Sequence, residues 1–468
     1  MISSARTIPS NGQDSAALFD LGAVSELLLA DAGISWPRGT HPTDVRVERA
    51  WPLRDGSFSF EFSFALGASA RHSIYCAGEP LPPPHADIAT ERQAVVTAFG
   101  LRGVSVSVSS WGVRVHTIER DPALTHLAEC VDSIAMTERL AAHWDTSGHD
   151  QPSADHPVEC RPLGYRAARR AAIGYNRSSP SGCAQRLMGK TYIDDRGARL
   201  LELHVAVNRE LAVQTDGRVR VPVPVAYIAD LRMGLFQWAR GTDADRRRVS
   251  LSAIAAMSAE ALAAMHGISI DGLPEWTIAD EQRTVNRWHI AMCTAAPDLA
   301  EGSALLAEAL AALAETVEVD RVCTVHRDFY EQQLIRGRST TTILDLDTLA
   351  IGHPSIDVGN LLAHLFLAER MTTGAPATFE SLGRIVLSHY RDHWGKLNER
   401  VLMYHWASAL YRVGAVHSLR TLGRAHTPAL WGLAADLLAR GESDGLRSSE
   451  AAAVFAPPLS SEVFGAME

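Results

Sequence analysis

Two kinds of apolar spacing divide this chain. Over residues 45–78, VRVERAWPLRDGSFSFEFSFALGASARHSIYCAG alternates apolar and polar positions around Asp55-Gly56 and Gly67-Ala68, which predicts an antiparallel meander. VSVSVSSWGVRVHTI (104–118) predicts a hairpin, and DPALTHLAECVDSIAMTERLAAHW (121–144) a helix opened by an N-cap. Residues 16–31 read as a short amphipathic helix, and EPLPPPHAD (79–87) as a proline-rich connection. DTSGHDQPSADHP (145–157) is polar and linker-like, placing a boundary near residue 150.

Beyond it, strands are expected around 158–163, 169–176 and 185–193, then a helix over about 197–213 and two further strands before Gly241. The order β-β-β-α-β-β suits a small antiparallel sheet carrying one helix. After Gly241 the spacing turns helical. Ile254, Met257, Ala261 and Met265 share a face of a helix that stops at His266-Gly267, and helices follow near 279–295, 302–316, 377–393 and 400–440. The strong β signal in this half is LIR-GRST-TTIL, residues 334–344, with a β run at 322–325 before it. Four regions result: an accessory α+β region (1–150), a small lobe (151–240), a mainly helical large lobe (241–445) and a loose tail (446–468).

Composition narrows the class. Of 468 residues, 46% are hydrophobic, as in ordinary globular proteins. No apolar run approaches the roughly 18 residues of a membrane span. The Ser-rich start has no apolar signal core, so a cytoplasmic protein is expected. The six cysteines are scattered and form no CxxC pair. A net charge of −10 without a basic block argues against nucleic acid as a partner. Lysine occurs only at 190 and 396, so a role needing a compact ammonium has two candidates.

The chemistry concentrates in TVHRDFYEQQLIRGRSTTTILDLDTLAIGHPSIDVGNLLAHL (324–365). A hairpin returns the chain on itself, so Gln333 before its first strand and Asp345 after its second should be neighbours, with Asp328 on the same loop. Two carboxylates and an amide oxygen at one sheet end are hard ligands of the kind magnesium takes alongside phosphate oxygens.

The stretch resembles the catalytic core of the aminoglycoside phosphotransferase/choline kinase family, relatives of protein kinases. Their pattern H-x-D-x-x-x-x-N, a hairpin, then [IL]-D-x-[DE] reads here as His326-Arg327-Asp328, Gln333 and Ile343-Leu344-Asp345-Leu346-Asp347. GHPSIDVGNLL is similar to the family's GDPAYDLA segment, with Asp357 on its aspartate. The resemblance implies a protein-kinase-like two-lobe α+β fold and ATP-dependent phosphorylation of a hydroxyl on a small molecule, with ATP and Mg²⁺ as cofactors. His326, Arg327 and Asp328 would form the catalytic triplet. Asp328 would be the base, and His326 reads more naturally as a packed loop histidine.

Asp345 would hold the metal, with Gln333 as second ligand where the family has Asn, and Asp347 could assist. Asp357 would brace the loop through backbone N–H groups. In the small lobe, Lys190 would pair with ATP phosphates and with Glu202 on the helix, Glu210 being a second choice. Gly164 would sit in a turn between the first two strands, over the phosphates. Gln237 to Gly241, including Ala239, would be the adenine-reading hinge. The Gln333 departure and the glycine-poor turn also suit a non-catalytic nucleotide-binding module, and HRD in place of HGD suits a protein-modifying kinase.

Overall fold

The computed structural model describes residues 34–35, 42–52, 58–66, 72–78, 94–97, 100–102, 105–108, 113–144, 157–178, 184–239, 241, 251–372 and 377–441. The helix expected over 16–31, the proline-rich connection, all but the last residue of the 145–157 linker and the tail from 446 lie outside these residues. The chain divides into two compact units: Met1–Leu201 with Val225–Gln237 and Leu419–Leu422, and Glu202–Pro224 with Trp238–Ser418 and Gly423–Glu468.

The first unit begins with strands β1 (Ile34–Ser35), β2 (Pro42–Pro52), β3 (Phe58–Leu66), β4 (His72–Gly78), β5 (Ala94–Thr97), β6 (Gly100–Arg102), β7 (Ser105–Val108) and β8 (Val113–His116). The expected meander and hairpin join in one sheet, ordered β2-β3-β4-β8-β7. In β3 the phenylalanines at 58, 60, 62 and 64 recur with period two, the spacing that puts side chains on one face of a strand, and all four are buried.

The helix expected over 121–144 is broken. It forms α1 (Leu127–Cys130), α2 (Ser133–Arg139) and a 3-10 turn at Ala141–His143. Asp132 interrupts it with extended backbone and restarts it as an N-cap, accepting from the Ile134 and Ala135 N–H groups at 2.9 and 2.8 Å.

The small sheet follows: β9 (Glu159–Arg166), β10 (Arg170–Ser178) and β11 (Ala184–Tyr192). After α3 (Arg196–Thr215) and β12 (Val219–Arg220) come β13 (Pro224–Ile228) and β14 (Met233–Gln237), in the sheet order β13-β14-β11-β10-β9. Leu187, Gly189 and Thr191 of β11 turn inwards, while Met188 and Lys190 stay half-exposed on the other face. The inward face packs with Leu127, Met136, Leu140 and Trp144 into one core. A Cβ on Gly189 would lie 2.6 Å from Met233 Sδ and 2.8 Å from the Tyr175 ring, so this position has no room for a side chain.

Two expectations for this region are corrected. Gly164 is inside β9, paired with Ala172, and the turn is Ala167–Arg169. A bulge between Ala172 and Ile173 absorbs Leu163 and carries the strand beyond the glycine. Three strands, instead of two, precede Gly241. The extra one, β12, joins a sheet of the second unit, because Arg218 O and Arg220 find partners at Thr341 and Thr342.

The second unit holds α4 (Leu251–His266), α5 (Ile278–Ala295), α6 (Ala300–Ala314), β15 (Cys323–Val325), β16 (Leu334–Arg336), β17 (Thr341–Ile343), β18 (Ala350–Gly352), α7 (Ser355–Thr372), α8 (Ala377–Trp394), α9 (Glu399–Ser418) and α10 (Thr427–Gly441). The helices enclose a core containing Phe379, Tyr404, Trp406, Tyr411 and Trp431, all fully buried.

The helix expected over 400–440 is two helices. Thr421 leaves helical geometry to pair with Val47 of β2, donating its N–H to Val47 O at 3.0 Å and accepting from Val47 N–H at 2.9 Å. An additional helix, α7, follows β18, with Asp357 in its first turn. No helix among the described residues is long and apolar enough to cross a membrane.

Candidate active site

The residues of the 324–365 stretch are assembled in the second unit by two short strand pairs. β16 pairs antiparallel with β17, Leu334 facing Ile343, and β15 pairs antiparallel with β18. The first ladder extends one step through Leu344 N–H to Gln333 O at 2.8 Å. Gln333 is buried at this hairpin mouth, and Asp345 follows Leu344 with a left-handed backbone, φ 59°. That conformation disfavours most side chains but is visited by Asp and Asn.

His326 connects the loop to the hairpin. It is fully buried, and its Nε2 lies 2.7 Å from Leu344 O. A carbonyl can only accept, so Nε2 carries the proton. Nδ1 then accepts from the Asp328 N–H at 3.3 Å. Thr348 donates to His326 O at 2.8 Å. The histidine thus ties the backbone of Asp328 to the residue before Asp345, and the Asp328 side chain remains half-exposed.

Asp357 holds the loop from below. Its carboxylate accepts from the backbone N–H groups of His326 and Arg327, each at 2.6 Å, and from His266 Nε2 at 3.1 Å. On the other side of the ring, His266 Nδ1 lies 2.6 Å from the Tyr390 hydroxyl. Burial alone would raise the Asp357 pKa, but the His266 hydrogen bond and the loop N–H groups hold it below the usual carboxylate range.

Arg327 also has a left-handed backbone, φ 68°, strained for a long side chain. Its guanidinium lies 3.3 Å from the centre of the Trp276 ring and donates to Thr348 O at 3.1 Å. Burial pushes its pKa down to about 10, and it stays charged at neutral pH. Behind it lies Glu281, which accepts from Trp276 Nε1 at 3.1 Å and from Ser408 at 2.5 Å and pairs with Arg412 at 3.0 Å. Arg412 donates to Asn360 Oδ1 at 3.3 Å, and Asn360 Nδ2 donates to Phe329 O at 2.9 Å.

Local sequence signals do not reveal this network: spacing marks His266 only as the end of a helix, and Asn360 only as part of the segment after the hairpin. Glu281 and Arg412 have no local signal that connects them.

Burial would raise the Glu281 carboxyl, but Arg412 and the donors from Ser408 and Trp276 outweigh it and hold the pKa at about 2. A carboxyl whose folded pKa is depressed gives its full stabilisation above the unfolded value of 4.5 and loses it as pH falls towards 2. The stability gap between wild type and Glu281→Gln, read from urea midpoints, should therefore be wide at pH 7 and narrow by pH 3. A gap independent of pH would contradict this account.

In the first unit, register places the other candidates. Gly164, Ala172, Lys190 and Gly234 form one row across β9, β10, β11 and β14, and directly paired residues share a sheet face. Lys190 thus lies on the same sheet face as Gly164. Gln237 closes β14 with an exposed side chain, and Ala239 follows it. Glu202 stands in the part of α3 that belongs to the second unit, as does Glu210.

Among the described residues, no group of three or more His, Cys, Asp or Glu side chains forms a metal cage. Magnesium beside phosphates needs only one or two carboxylates, and the all-oxygen donors of Asp345, Asp347 and Gln333 fit that requirement.

Residues 194–400 match the family described as Phosphotransferase enzyme family. No curated protein matches the chain. Among solved structures, the chain is similar to a microcompartment-associated aminopropanol kinase (18% identity, 67% of this chain and 99% of that one, TM-score 0.45). It is also similar to macrolide 2'-phosphotransferase type I (16% identity, 70% and 99%, TM-score 0.40). A third is a choline kinase from Cryptosporidium parvum (11% identity, 69% and 94%, TM-score 0.41).

Proposed function

We propose that this chain, whose residues 194–400 match the phosphotransferase enzyme family, transfers the γ-phosphoryl group of ATP to a hydroxyl of a small molecule. The observation that supports this best is the Asp357 carboxylate accepting from two successive N–H groups of the His326–Asp328 loop while His326 ties that loop to Leu344, beside Asp345. A strained loop held by a buried charge is a preorganised one, and phosphoryl transfer is mostly positioning and charge neutralisation.

In this reading Asp328 accepts or orients the proton of the attacking hydroxyl. Asp345 and Gln333 would hold Mg²⁺, with Asp347 assisting, and the ion would neutralise phosphate charge. Arg327, stacked on Trp276, and fully buried His326 are positioning residues that act through the backbone of Asp328. Lys190 would pair with phosphate oxygens, and the backbone around Gln237 and Ala239 would receive the adenine.

A screen of small-molecule alcohols with radiolabelled ATP tests the reading. Transfer to one class of alcohol is expected, and label appearing on protein instead would favour the protein-modifying alternative. Gln333, one methylene longer than the family's Asn, motivates a second reading as a non-catalytic nucleotide-binding module. ATP binding without turnover across the panel would favour it. Lys190→Ala should raise the KM for ATP and lower kcat/KM, with the melting temperature little changed. Unchanged ATP kinetics would remove Lys190 from the site.

A further inference from the structure

The turn after β9 is gripped by residues that precede the small sheet in sequence. Asp121, 3% exposed, uses both carboxylate oxygens. Oδ1 accepts from the N–H groups of Ala123 and Leu124 at 2.7 and 3.1 Å. Oδ2 accepts from the Ala168 N–H at 2.8 Å and from the Tyr165 hydroxyl. Ala168 is the middle residue of the Ala167–Arg169 turn and has φ 56°, a left-handed conformation that costs alanine and favours glycine.

The neighbours reinforce the grip. The Tyr75 ring meets Tyr165 edge-on at 4.4 Å. Arg49 donates to Tyr165 O at 3.4 Å, and Arg166 lies 3.9 Å from the centre of the Trp51 ring. Behind Lys190, His126 Nε2 lies 2.7 Å from the Thr191 hydroxyl, which donates to Leu231 O. All of these groups belong to the first unit.

We propose that the region before residue 145 is a clamp for the phosphate-covering hairpin, with Asp121 as the positioning residue that holds the Ala167–Arg169 turn in its strained form. The inference rests on the nucleotide-site reading above. A turn that covers phosphates can be made of glycines, which adopt any conformation, or of ordinary residues held by a partner. This chain has alanines in the turn and a buried carboxylate beneath it. The residues that grip the turn then serve the nucleotide site through the turn they hold.

The experiment uses the full chain with ADP as the probe. Asp121→Asn places an amide where two donors point, so the turn should open. Amide hydrogen exchange at Ala168 and Arg169 should quicken in the nucleotide-free protein. ADP affinity should fall about tenfold, equivalent to about 1.4 kcal/mol. The KM for ATP should rise while kcat at saturation stays near wild type.

Adding Ala168→Gly removes the strain the carboxylate offsets, so the double variant should recover much of the affinity. A variant that merely loses stability would show no such recovery. Tyr165→Phe, which deletes one of the four bonds and keeps the ring, should show the same effect in smaller measure if Asp121→Asn does not fold.

Wild-type exchange rates in the turn, or an ADP affinity equal to wild type in all three variants, would overturn the clamp. No ADP binding by the wild-type chain would instead overturn the nucleotide-site reading itself.

Discussion

Asp328→Ala should lower kcat by about 10²–10⁴-fold, the usual contribution of a general base, while the KM for ATP changes little. The structure makes this a clean test. The side chain is half-exposed, and the backbone N–H donates to His326 Nδ1. Alanine keeps that N–H, so stability should stay within about 0.5 kcal/mol of wild type. The measurements are steady-state kinetics on the responding alcohol and a urea unfolding curve. Undiminished kcat would end the assignment of Asp328 as base.

The companion test at Asp345 is better made with Asn than with Ala. The residue sits at φ 59°, where Asn is tolerated and Ala is strained, so Asp345→Asn removes charge without refolding the turn. Turnover should fall by a similar factor and should respond to raised magnesium. A loss that magnesium concentration does not influence would argue against a metal role.

The second large effect is on folding. Asp357→Ala removes a fully buried carboxylate that accepts from His326 N–H, Arg327 N–H and His266 Nε2. Two backbone donors are then stranded in a protein interior, each at about 1–3 kcal/mol. Breaking one partner of a buried charge arrangement typically costs about 3–5 kcal/mol in all. Against a total stability of about 5–15 kcal/mol, this is a large fraction.

Asp357→Ala should therefore unfold at much lower urea and show no turnover. Asp357→Asn, which keeps one acceptor oxygen, should fall in between. The Asp357 pKa is depressed in the folded state, so its contribution is complete above the unfolded carboxylate value and fades as pH drops through the folded one. Near-wild-type stability of Asp357→Ala at pH 7 would show that the loop is held by something else.

The two variants separate two ways of losing activity. Asp328→Ala should abolish chemistry in a well-folded protein. Asp357→Ala should abolish it by releasing the loop whose backbone carries Asp328. Arg327 belongs with the second kind. Its side chain is spent on Trp276 and Thr348 O, so Arg327→Lys should lower kcat through loop disorder, and the defect should grow with temperature.

Much of this protein could be read before folding was considered. The β9-β10-β11 ladder, the α3 helix and the β16–β17 hairpin follow from alternation, turn residues and helical spacing, which are local properties of neighbouring side chains. The proximity of Gln333 and Asp345 was legible for the same reason: a hairpin that closes within a dozen residues sets them side by side. The lysine on β11 stood out because the chain has so few.

Most supports of the 324–365 stretch were not legible. The Asp357 brace, 31 residues from His326, came from the family resemblance alone, and nothing local links Ser408 to Glu281 across 127 residues. Gly164 was misplaced because a bulge, set by packing on the neighbouring strand, carried β9 past it. The helix at 400–440 broke because Thr421 found Val47, 374 residues away. Spacing along a chain records which side of an element is apolar. It does not record which element will cover that side, and buried charges acquire partners only once the elements have packed. The sequence therefore determined the parts, and the tertiary structure determined what holds the His326–Asp328 loop in its strained form.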